Sequence, residues 1–145
     1  MRTIKFRAWI TNEKKMLYPP KPPKFNPLGA ISNPLTTEFT NHKGGKVYFM
    51  QFTGLKDKNE KEIYEGDIVE YNGAYAEDKK PHNLLVEYHN KQGVGHWNSA
   101  SFVLKEKIKN KDVGRLGDFL CMPDITLEVI GNIYEDYKLL NKEEK

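Results

Sequence analysis

The chain holds a single cysteine, Cys121, among 145 residues, so no disulfide can form within it. No apolar run approaches the roughly 18 residues of a transmembrane helix, and no membrane partner is expected. Residues 1–10, MRTIKFRAWI, alternate charged and apolar side chains where a signal peptide would be continuously apolar. The expected location is the cytoplasm. The common catalytic signatures are missing as well: there is no GxGxxG, Walker loop, GxSxG or HExxH. Gly93-Val94-Gly95 is too short for a phosphate cradle. None of the four histidines, His42, His82, His89 and His96, stands four residues from another. His89 and His96 flank a glycine-containing turn and could face each other, but a metal takes about three or four ligands and no third is evident. Cys121, between Leu120 and Met122, reads as buried and inert. No metal, no cofactor and no catalytic residue is therefore expected, and the chain reads as non-enzymatic.

Charge is not extreme either. With 23 basic and 20 acidic residues the net charge is +3 and the pI about 8.8, too mild to argue for nucleic acid alone. The distribution is uneven. Residues 1–46 carry nine Lys/Arg against two Glu, a net +7, and residues 47–145 carry 14 against 18, a net −4. Such a basic third can dock on its own other half, on a neighbouring subunit or on an acidic partner. Arg7, Trp9, Lys14 and Lys15 are its candidate nucleic-acid contacts, as small barrels bind single strands by aromatic stacking in a basic groove.

Fifteen Phe and Tyr and two Trp supply the material for a β-rich core. Residues 3–10 read as a strand with Ile4, Phe6, Ala8 and Ile10 on one face and Lys5, Arg7 and Trp9 on the other. A turn at 11–14 and a second strand at 15–18 complete an N-terminal hairpin, 1–18. Six of the eight prolines lie between Pro19 and Pro34. Proline fixes φ and removes a backbone donor, so 19–46 reads as an extended arm or loop. A β core, 47–135, follows. In it Lys46–Thr53 is apolar on nearly both faces, the mark of a strand buried on two sides. Gly54 reads as its end. Asp57-Lys58-Asn59-Glu60 forms a turn with Asn59 in the left-handed region. Glu62–Tyr64 is a short strand. Gly66 serves a second turn that opens onto Ile68, Val69 and Tyr71. Residues 84–88, 101–104 and 125–134 read as strands, the last with a bulge or close crossing at Gly131. Residues 105–112 read as a charged loop or a solvated hairpin tip, and 113–123 as irregular. A charged tail, 136–145, has a short helix through Tyr137, Leu139 and Leu140.

Glu65 and Asp67, two carboxylates across a turn, are better explained by Asp67 bonding the turn backbone than by acid–base work. A short strand, a Gly-Asp turn and an apolar strand also recur at the start of small SH3-like barrels, a likeness of fold only.

Three separated segments carry a family resemblance: MRTIKFRAW at 1–9, MQFTGLKDKNEKEIYEGDIVEY at 50–71 and LEVIGNIYE at 127–135, together 40 residues. The chain resembles the YopX family of small phage and prophage proteins. The resemblance implies a mainly β chain with an SH3-like barrel, a homo-oligomer and a phage or prophage origin. It implies no established activity. The expected role is that of an accessory protein acting by binding, on an unidentified host or phage protein or, as the alternative, on nucleic acid. The family's recognisable motif falls on Phe52, Thr53, Gly54, Leu55, Ile63, Tyr64, Glu65, Gly66 and Asp67, which read as fold determinants. One departure stands out. The family's turn carries Gly after Asn59, and this chain has Glu60. A positive φ there would be strained, and a turn of another type is the alternative.

Overall fold

The computed structural model describes residues 4–18, 39–40, 43–73, 81–89, 101–106 and 111–141. Among them the chain is mainly β. No helix among the described residues is long and apolar enough to cross a membrane. The chain divides into two compact units, Met1–Phe52 and Thr53–Lys145.

The first unit is an antiparallel sheet. Strand β1 (Phe6–Ile10) forms a hairpin with β2 (Lys15–Leu17), pairing Trp9 with Met16. On its other side β1 pairs with β4 (Lys46–Lys56), and β3 (Phe39–Thr40) pairs with β4 in turn. Alternation along β1 puts Phe6, Ala8 and Ile10 on one face and Arg7 and Trp9 on the other. Most of the proline-rich stretch, residues 19–38, lies outside the described residues. Its end does not stay an arm throughout, because β3 supplies a strand there. Two expectations about β4 are corrected. It is internal to the sheet, yet Lys46 and Tyr48 are exposed and burial is confined to Met50, Phe52 and Thr53. Position within a sheet settles only the backbone's partners, whereas side-chain burial depends on what stands above each face. Nor does Gly54 end the strand. It takes φ 86° and β4 continues to Lys56.

In the second unit β5 (Glu62–Tyr64) pairs with β4. Strands β6 (Asp67–Gly73), β7 (His82–His89), β8 (Ser101–Glu106) and β9 (Lys111–Arg115) follow as an antiparallel meander. A five-residue helix α1 (Leu116–Leu120) then turns the chain, and β10 (Ile125–Asn132) returns beside β6. The sheet order is β10-β6-β7-β8-β9. Its inner face holds the main core: Val69, Tyr71, Leu84, Val86, Leu104, Leu127 and Val129, closed by Ile63 and Leu116. Fully burying side chains of this size stabilises by roughly 1.5–3 kcal/mol each. On the outer face Ile68 and Leu85 are covered by Leu140 of a 3-10 helix, Tyr137–Asn141. Asn83 Nδ2 donates to Leu139 O at 2.8 Å and fixes that helix in place.

The stretch expected to be irregular, 113–123, instead completes β9 and forms α1. Leu116 is fully buried, and Phe119 packs edge-on against Tyr71 with ring centroids 5.4 Å apart. Of the two readings of 105–112, the hairpin agrees with the structure: Lys105 and Glu106 in β8 pair with Asp112 and Lys111 in β9. Cys121 is exposed, not buried. It stands at the C-terminal end of α1, and the apolar residues beside it in sequence do not enclose it. At Gly131 the expected bulge is present: the β10–β6 register shifts between Val129 and Gly131.

Candidate functional site

The side chains of the central motif are bonded into their own fold. The Thr53 hydroxyl donates to Ile63 O at 2.8 Å and accepts from Leu55 N at 3.2 Å, so one side chain joins β4 to β5. Phe52, Ile63 and Tyr64 are buried, and Leu55 packs on the main core. Tyr64 Oη donates to Glu62 Oε2 at 2.8 Å. The turn into β6 is closed by Asp67, whose Oδ2 accepts from Tyr64 N at 2.8 Å in a buried setting. Glu65, the other carboxylate of that turn, is half-buried. Gly66 has φ 79°, where a side chain would be strained. Its N–H donates to Val86 O at 2.8 Å, and its carbonyl accepts from Ile133 N at 2.9 Å.

No local pattern announces how much depends on Asp57. Its carboxylate is buried. Oδ1 accepts from Asn59 N at 2.8 Å and Lys61 N at 3.0 Å, closing the turn on itself. Oδ2 accepts from Val129 N at 2.9 Å, 72 residues away. Lys58 N donates to Leu127 O at 3.0 Å beside it. The second and third family segments are thus joined by backbone and carboxylate bonds, as the first segment is paired with the start of the second through Arg7 and Met50. Asp57 precedes a Lys-Asn pair and so reads as an ordinary turn aspartate. A distant N–H partner leaves no local signal.

The left-handed residue of this turn is Glu60, with φ 63°, rather than Asn59. Glu60 N donates to Asp57 O at 3.1 Å, which fixes the turn with Glu60 in this strained region. Glu60 also pairs with Lys56 at 3.0 Å on the exposed side. Beyond the turn, Asn132 orders the end of β10. Its Oδ1 accepts from Tyr134 N at 3.0 Å and Glu135 N at 3.1 Å, and its Nδ2 donates to Glu135 Oε2 at 2.6 Å. Asp136 reaches back to Asn132 N at 3.1 Å and leaves room only for glycine at 131, where an added Cβ would meet its carboxylate at 2.5 Å.

The candidate nucleic-acid contacts separate. Arg7 and Trp9 are only 4% and 8% exposed. Lys14 and Lys15 are exposed at the hairpin end. Two further lysines not singled out in the sequence, Lys43 and Lys46, come to the same end: Thr11 N donates to Lys46 O at 3.0 Å, and Lys43 pairs with Glu13 at 3.7 Å.

Elsewhere Glu87 Oε2 lies 3.2 Å from His89 Nε2 and 3.3 Å from Lys105 Nζ. His96, the other half of the imagined histidine pair, lies outside the described residues. Among the described residues no three His, Cys, Asp or Glu side chains converge on a common point. Lys58 pairs with Glu128, which stands directly opposite Glu70 across β10 and β6. The hydrogen bond that Lys58 donates to Glu128, then the charges of Glu128, Glu70 and Asp57, raise the Lys58 pKa above its ordinary 10.5.

The model of the YopX protein family matches residues 5–141. The chain belongs to the YopX family. Among solved structures, protein EF1440 from Enterococcus faecalis is similar at 26% identity and a TM-score of 0.58, over 97% of this chain and 99% of that one. Protein yopX from Bacillus subtilis is similar at 17% identity and a TM-score of 0.47, over 96% and 98% of the two chains. No curated protein matches this YopX-family chain.

Proposed function

We propose that this YopX-family protein is a phage or prophage accessory protein of the host cytoplasm that works by binding, as a homo-oligomer, rather than by catalysis. The observation that carries the reading is the use made of its motif. Thr53, Asp57, Asp67 and Asn132 direct their polar atoms onto neighbouring backbone in the same chain, which is the work of fold determinants. The second unit supports an SH3-like reading. A four-stranded meander, a short helix and a fifth strand returning beside the first give the order β10-β6-β7-β8-β9, a likeness of fold that assigns no activity by itself.

Self-association is supported by the first unit. Ile4 and Phe6 are 71% and 48% exposed, at the end of the face that carries Ala8 and Ile10. A second copy supplies the complementary charge, since residues 1–46 are net positive and 47–145 net negative. Sedimentation equilibrium tests this. The protein is expected at a multiple of its 16.8 kDa chain mass, and Phe6→Lys with Ile4→Glu is expected to bring it to the monomer. A parent protein that stays monomeric at all concentrations overturns the oligomer.

A second reading, binding to nucleic acid, is favoured by one observation: chain reversal brings Lys43 and Lys46 to the hairpin end beside Lys14 and Lys15.

A further inference from the structure

We infer that the hairpin end of the first unit is a contact site for single-stranded nucleic acid, with Tyr18 and Tyr48 as its stacking surfaces. The inference rests on the nucleic-acid reading and names its ligand and its residues. Four lysines, Lys14, Lys15, Lys43 and Lys46, stand exposed at this end. Among the described residues Glu13 is an acid at this end, paired with Lys43. The lysines belong to two chain segments some thirty residues apart, so the cluster exists only in the fold. Lysines so placed neutralise successive phosphates.

Lysines alone would take any polyanion. The aromatics narrow the choice. Tyr48 is 37% exposed and Tyr18 52%. Both lie on the face of β1 that carries Arg7 and Trp9. Tyr48 stands opposite Trp9 in the β1–β4 register, and the Arg7 guanidinium carbon lies 6.0 Å from the Tyr18 ring centroid. That cation–π contact orients the Tyr18 ring from beneath. Lys46, two residues before Tyr48 in β4, projects from the same face. Exposed rings beside a row of cations are what unstacked bases require. In a duplex the base faces are already stacked on each other and offer nothing to the rings. Trp9 serves this face by packing and does not itself offer a ring to a base.

The test is fluorescence anisotropy of the full chain with labelled oligothymidine of about 20 nucleotides, against a duplex of the same length. The single strand is expected to bind more tightly. Its affinity should fall with salt at a log–log slope of about −3, from four phosphate contacts at roughly 0.7 each. Lys14→Glu with Lys15→Glu should roughly halve that slope. Tyr48→Ala should weaken the single strand about tenfold and leave duplex binding unchanged, while Tyr48→Phe keeps the ring and restores affinity. Circular dichroism checks that each variant folds, and the lysine variants, at an exposed turn, test the site independently of the tyrosine. Equal affinity for both forms, indifferent to Tyr48→Ala, overturns the single-strand inference and leaves the nucleic-acid reading standing. No binding to either at low salt overturns both. Displacement of the strand by polyglutamate at equal charge concentration assigns the site to an acidic protein and also overturns the inference.

Discussion

A left-handed backbone at a residue with a Cβ costs about 1–2 kcal/mol, and Glu60 carries that cost at φ 63°. Glycine removes it but adds freedom to the unfolded chain, worth roughly 0.5–1 kcal/mol. It also gives up an exposed ion pair with Lys56, worth a few tenths. Glu60→Gly is therefore expected to stabilise the protein by about 0.5 kcal/mol, read as a higher urea midpoint at unchanged slope. Asn at the same position should achieve part of this. Lys58 is the other residue with a measurable signature. Glu70 and Glu128 are directly opposite across two strands, a repulsive arrangement that Lys58 relieves. Its pKa is raised in the fold above 10.5. The stabilisation is therefore complete below 10.5 and is lost as the pH rises through the higher folded value. Lys58→Met should lower Tm at neutral pH. The gap to the parent protein should close above pH 10.5 and shrink in concentrated salt. A gap unchanged with pH would assign the loss to packing of the lysine stem.

At the scale of elements, Asp57 decides how the sheet of the second unit ends. Strand β10 is an edge strand, with β6 on one side. On the other side Val129 N is held by Asp57 and Leu127 O by Lys58 N, so a stretch of that edge is occupied. An open edge invites pairing with other chains. Asp57→Ala removes a buried acceptor for three N–H groups. It should cost about 3 kcal/mol or more, measured by denaturant unfolding, and Asp57→Asn about half of that. The elements also show what was legible beforehand. Alternation located β1, β6 and β10, and turn chemistry located β5 between its two turns, because each is a local pattern. Gly66 and the bulge near Gly131 were legible for the same reason. The helix α1 was not: five residues are too few to show a helical period, and Leu116 is buried only once the strands of the sheet pack around it. The partial burial of β4 and the reach of Asp57 to Val129 were equally hidden, being tertiary facts. For the candidate site, composition singled out the basic N-terminal third, and the aromatic it named, Trp9, is buried. Trp9 lies in the middle of β1 between two neighbouring strands, while Tyr18 and Tyr48 keep an open side.

For the whole molecule, the single thiol is a useful handle. Cys121 is exposed, so the folded protein should take up one equivalent of a maleimide without denaturant, with Tm little changed. Slow labelling that matches the unfolding rate would place the thiol inside after all. The division at Phe52–Thr53 has a further meaning when the chain is considered in the order in which it is made. The strand pairings of the first unit involve β4 only as far as residue 51, so they can form once residue 52 has been added. The second unit is different: β6 is laid down early, but its neighbour β10 and the N–H that Asp57 awaits belong to residues near 129. At about 5–20 residues per second of synthesis, the ribosome needs roughly 4–14 s to travel from residue 57 to residue 129. Once made, β6 waits for the later part of that interval with the flank that β10 will cover bare. The nascent second unit is thus a client for whatever shields exposed strands during translation, and it closes only after residues near 129 have been made.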